Sequence, residues 1–98
     1  MQMAYDVYVD DNYDYMDEDR RYHYGTFATC QEAVDACKNL VNAWLEHGYK
    51  PGMTADELYV GYKGFGEDPF IQTNDKNCTF SAWTYAKTRC QEIVEGRS

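Results

Sequence analysis

The sequence predicts an α+β domain: a two-layer sandwich whose three-stranded, mainly antiparallel sheet carries helices on one face, in the order β-β-α-α-β-α. Three observations carry this expectation. Residues 5–9 alternate apolar and polar with period two, two S/T-x-x-E boxes each open a segment of helical periodicity, and a last amphipathic segment follows a short strand-like run. The chain of 98 residues is the length of a single domain, spanning 1–98.

The elements follow in order. Tyr5, Val7 and Val9 share one face of the first strand, and Asp6 and Tyr8 the other. A polar stretch over 10–20 leads to a second strand over 21–27, so the chain begins with a long-looped hairpin. Thr29 and Glu32 then form a capping box, behind which Cys30, Val34, Cys37, Val41 and Trp44 make an amphipathic stripe, with Gly48 as the stop. A second box, Thr54 with Glu57, opens a short helix over 55–62. Gly64, Gly66 and Pro69 break the chain before a third strand over 70–73. Ser81 caps a last helix that runs to Glu95 and stops at Gly96, with Trp83, Ala86, Cys90, Ile93 and Val94 as its apolar face. With the first and third helices on the Tyr5/Val7/Val9 side, the face bearing Asp6 and Tyr8, with tyrosines or His23 beside them, stays open and is the place to look for function.

Charge is distributed unevenly. Asp6, Asp10, Asp11, Asp14, Asp17, Glu18 and Asp19 supply −7 of the net −8, and no Lys or Arg precedes Arg20. Six of the ten tyrosines share that end. An acidic, aromatic terminus steers basic partners and repels phosphate, which argues against direct nucleic-acid binding despite the tyrosines. It suits a surface that docks on a basic protein groove or copies nucleic acid.

No apolar run exceeds three residues, so neither a membrane span nor a signal-peptide core is expected, and a cytoplasmic setting follows. Cys30, Cys37, Cys78 and Cys90 are then expected as reduced thiols. Cys30 and Cys37, about 10 Å apart along one helix, cannot bridge. A Cys37–Cys90 bridge across packed helices remains open.

Three segments together resemble a family of small uncharacterised bacterial proteins. They are Tyr5-Asp-Val-Tyr-Val-Asp-Asp-Asn12 with Tyr15-Met-Asp-Glu18; Tyr49-Lys-Pro-Gly-Met-Thr-Ala-Asp-Glu-Leu58; and Phe65-Gly-Glu-Asp-Pro-Phe-Ile71 with Phe80-Ser-Ala-Trp83. The resemblance spans nearly the whole chain. It implies a folded family domain and brings no activity or cofactor.

Motifs of known chemistry are weak. Asp10, Asn12 and Asp14 fall at calcium-loop spacing, but Tyr15 stands at the required glycine and Arg21 at the closing glutamate, which argues against calcium. Cys30 sits where a helix N-terminus activates a thiol, yet also on the apolar stripe, where cysteine serves as a small hydrophobe. Cysteine spacings of seven, 41 and 12 with isolated histidines do not suit zinc. No nucleophile elbow or phosphate-cradling loop is present in the sequence. No cofactor is expected, and an enzyme less than a binding module. The expected function is protein interaction, with Tyr8, Tyr13 and Tyr15 as contact residues and Asp10, Asp11, Asp14 and Asp17 as steering charges on a basic protein surface. The alternative is a ligand-binding or enzymatic pocket between the sheet and segment 49–71, walled by Tyr59, Tyr62, Phe65 and Trp83.

Overall fold

The alternation of residues 5–9 becomes β1 (Tyr5–Asp11), with Tyr5, Val7 and Val9 buried and Asp6 and Tyr8 half-exposed. The computed structural model describes residues 4–11 and 21–96. The other elements are β2 (Tyr22–Phe27), α1 (Cys30–Gly48), α2 (Ala55–Phe65), β3 (Glu67–Gln72) and α3 (Ala82–Val94). The class and element order are those expected. β1 is the central strand, antiparallel to β2 on one side and to β3 on the other.

One irregularity shapes the sheet. Val7 faces Gly25 but Tyr8 faces His23, so Tyr24 is an extra residue in β2. A bulge of this kind reverses the parity of everything beyond it. His23 and Thr26 differ in parity, and the bulge brings both to the face of Asp6 and Tyr8.

The helices begin where the caps require. Thr29 Oγ1 accepts from the Glu32 amide at 3.1 Å, and Thr54 with Glu57 completes a reciprocal box at 3.1 and 2.9 Å. Ser81 Oγ accepts from the Thr84 amide. Two ends differ from expectation. Gly48 is the last residue of α1, and Tyr49 caps it by donating its amide to the Leu45 carbonyl. α2 runs through Gly61 and Gly64 to Phe65, because Leu58 and Tyr62 are fully buried and their packing outweighs a glycine cost of about 1 kcal/mol each. β3 therefore starts early, at Glu67, and contains Pro69; an edge strand tolerates proline because one side of its backbone lacks a partner strand.

The core has two parts. Tyr5, Val7, Ala33, Cys37 and Cys78 form the interface of the sheet with the first half of α1. Val41, Leu45, Leu58, Tyr62, Ala82, Ala86 and Cys90 join the second half of α1 to α2 and α3. α3 packs on α1 and α2 and meets the sheet at β3, so only α1 covers the sheet broadly. This division explains why the buried stripe of α1 is Ala33, Ala36, Cys37, Val41 and Leu45, with Cys30, Val34 and Trp44 half-buried on its flank. Asn42 ties the helices together: its Oδ1 accepts from Arg89 Nε at 2.8 Å and its Nδ2 donates to the Tyr85 hydroxyl at 3.0 Å.

The expected thiols of Cys30 and Cys78 are instead a disulfide, with Cα atoms 5.7 Å apart. The turn after β3 carries Cys78 back across the start of α1. Tyr5 fixes that turn by donating its hydroxyl to Asp75 Oδ2 at 2.8 Å. A long-range return of this sort leaves no trace in local spacing. Cys37 and Cys90 are free and buried, as expected.

Candidate functional site

The open face of the sheet gathers side chains from all three strands. Tyr8 lies at its centre, with the His23 ring 5.0 Å away on one side and Phe70 stacked at 5.9 Å on the other. The register dictates this, since Tyr8 is the cross-strand partner of both His23 and Phe70. Arg21, just before β2, places its guanidinium carbon 5.0 Å from the Phe70 centroid and binds Asp10 through Nε at 2.6 Å and Nη2 at 3.1 Å. Asp68 is the partner of Asp10 across the β1–β3 ladder.

At the other end of the face, Asp6 Oδ1 accepts from the Thr26 hydroxyl and lies 3.0 Å from His23 Nε2. These contacts, Thr26 first and His23 second, hold the Asp6 carboxyl below the usual carboxylate range. The cluster has the residue types of a nucleophile relay but not its geometry. A relay uses the two imidazole nitrogens separately, whereas here Nε2 faces both Asp6 and Thr26, and the Thr26 proton already points to Asp6.

The thiols offer no nucleophile either. Cys30, the candidate at a helix N-terminus, is bridged to Cys78. Burial pushes the Cys37 thiol up to about 12, with Asp68 adding to the shift, and burial raises Cys90 to about 11. Among the described residues no group of His, Cys, Asp and Glu is placed to hold a metal.

The residues expected from sequence divide three ways. Tyr8 is on the open face as expected. Asp10 is 7 % exposed and bonded to Arg21, so it anchors the sheet rather than projecting a field. Asp11 ends β1 opposite Glu67, whose carboxylate accepts from the Tyr22 hydroxyl at 2.7 Å. Tyr22 is thereby held far above its ordinary value, first by burial and then by Glu67. Tyr13, Asp14, Tyr15 and Asp17 lie outside the described residues. Sequence reasoning missed Phe70, Arg21, Thr26 and Asp68 as neighbours of Tyr8 and Asp6. The alternation Asp68–Phe70–Gln72 was the available signal, hidden by reading Pro69 as a break.

The alternative pocket does not assemble from the expected walls. Tyr62 is fully buried with its hydroxyl donated to the Glu67 carbonyl at 2.6 Å, and Phe65 is 67 % exposed. A groove of about 560 Å³ does open beside β3, lined by Asp68, Phe70, Phe80, Ser81, Ala82 and Trp83. Of the expected walls, it contains only Trp83. Burial first, and Asp10 second, push the Asp68 carboxyl there up to about 6.

Searches of family models, curated proteins and solved structures find no match to the chain. No helix among the described residues is long and apolar enough to cross a membrane.

Proposed function

We propose that the protein is a non-enzymatic interaction module that presents the open face of its sheet, with the acidic segment joining β1 to β2, to a basic protein surface. The observation that carries this reading is the uncovered row His23–Tyr8–Phe70. α1 packs on the opposite face, against Tyr5 and Val7, and a paired aromatic row spans all three strands, with the start of α3 reaching only the groove beside Phe70. Rigid aromatic side chains are favoured contact anchors, and the net charge of −8 selects a basic partner. The resemblance to small bacterial proteins adds no substrate to this reading. A cytoplasmic placement holds only with the Cys30–Cys78 bond open, because such bonds persist in oxidising compartments.

The test is capture of partners from native extract at low and high salt, followed by surface-capture kinetics. Asp11, Asp14 and Asp17 changed together to Asn lower the on-rate, and Tyr8→Ala acts mainly on the off-rate. Asp10 is left out because Arg21 already compensates it. Binding indifferent to salt and to both variants would sink the proposal.

A further inference from the structure

The groove beside β3 contains an acid, Asp68, that no described residue supplies with a counter-charge. Asp10 and Asp68 are cross-strand partners, and Arg21 bonds Asp10 through two nitrogens. With both carboxylates ionised, that cluster is one positive charge short. Among the described residues neither a cation nor a hydrogen-bond donor pairs with Asp68. Phe70, Phe80 and Trp83 line the same groove. Aromatic faces attract cations through the ring quadrupole, and Phe70 already serves the Arg21 guanidinium in this way. The α3 side of the groove adds Ser81 and Ala82, the start of the helix, and no charged side chain.

We propose that this groove binds an alkylammonium group, and that its occupant is a lysine side chain of a basic protein partner. The assignment rests on the proposed function and names the group recognised. The ammonium pairs with Asp68, and the apolar stem lies along the aromatic walls. The incoming cation supplies the missing counter-charge and favours the ionised carboxylate, so binding strengthens as pH rises through about 6. The titratable groups that act on Asp68 or feel it are Asp10 on β1 and the buried Cys37 thiol on α1, while Arg21 bonds Asp10.

The experiment titrates Nα-acetyl-lysine methylamide into ¹⁵N-labelled protein and follows the amides of Asp68, Phe70 and Phe80 to Trp83. Saturable shifts confined to these residues are expected, with a Kd on the order of millimolar. The norleucine analogue, which lacks the charge, binds about tenfold more weakly or worse, and Asp68→Asn loses about tenfold. Should that variant not fold, wild-type affinity measured from pH 7 to pH 5 replaces it, and must fall. Equal binding of norleucine, indifference to Asp68→Asn or to pH, or no saturable shift overturns the assignment. Tighter binding of free putrescine than of capped lysine overturns the protein side chain as occupant. Salt-sensitive capture of a basic partner that survives Asp68→Asn overturns this assignment and leaves the proposed function standing. Lysine binding without any such capture does the reverse.

Discussion

Asp10 and Asp68 face one another across the β1–β3 ladder, yet only Asp10 is paired with Arg21. Burial first, and the neighbouring Asp10 carboxylate second, push the Asp68 carboxyl up to about 6, and no cation among the described residues opposes them. The pair is thus an unfavourable feature built near one end of the β1–β3 ladder, of the kind that binding sites retain.

That feature has a measurable cost. The folded-state value of Asp68 lies above its unfolded value of 3.8, so its contribution to stability is complete below pH 3.8 and is lost as pH rises through about 6. Asp68→Asn removes this titration. The variant should be more stable than wild type at pH 7 by roughly 1 kcal/mol after allowance for solvent screening, with the difference closing towards pH 4. Urea melts at the two pH values measure it. A variant less stable than wild type at pH 7 would contradict the assignment of the strain to Asp68.

The disulfide should dominate stability. It closes a span of 48 residues, for which chain entropy gives about 4 kcal/mol. Cys78→Ser, or reduction, should lower the denaturant midpoint by the corresponding amount. In the oxidised native protein Cys37 and Cys90 should alkylate only as fast as the chain unfolds, because burial removes both access and thiolate. Mass spectrometry after timed labelling distinguishes none from two modified thiols.

Gly66 should resist substitution although its φ of −79° is ordinary. A Cβ there would stand 2.5 Å from Tyr62 Cδ1 and 2.7 Å from the Tyr62 carbonyl oxygen. Tyr62 is fully buried and its hydroxyl is bonded to Glu67, so it has nowhere to move. Gly66→Ala should therefore destabilise by roughly 1–3 kcal/mol. Gly64→Ala, whose Cβ meets nothing within 4 Å, should be neutral or stabilising in the same melt.

The element order was legible because caps and periodicity are local. Thr29, Thr54 and Ser81 each set a helix start within a few residues of chain. What was not legible depends on distant segments meeting. Pro69 reads as a breaker until β1 is beside it, and Gly61 and Gly64 read as breakers until Tyr62 is buried. Trp44 looks like the end of a core stripe, but α1 changes neighbours halfway along, and Trp44 is left half-buried, edge-on to Tyr62 at 5.6 Å. The candidate site was half legible. Tyr8, Asp6 and His23 follow from alternation, whereas Thr26 joins them only because Tyr24 is inserted, and Asp10 is withdrawn from the surface by an arginine across the hairpin.

The Cys30–Cys78 bond also fixes how the molecule would respond to mechanical load. It turns α1, α2 and β3 into one covalent ring and leaves β1, β2 and α3 as tails outside it. Tension applied through the two ends can peel β1 from β3 and pull α3 off its neighbours, but it cannot draw out the ring. Oxidised chains should therefore stop extending short of their full contour by ~160 Å, at about 3.4 Å for each of the enclosed residues. In such a pull the face shared by β1, β2 and β3 can come apart while the ring that carries α1, α2 and β3 stays closed.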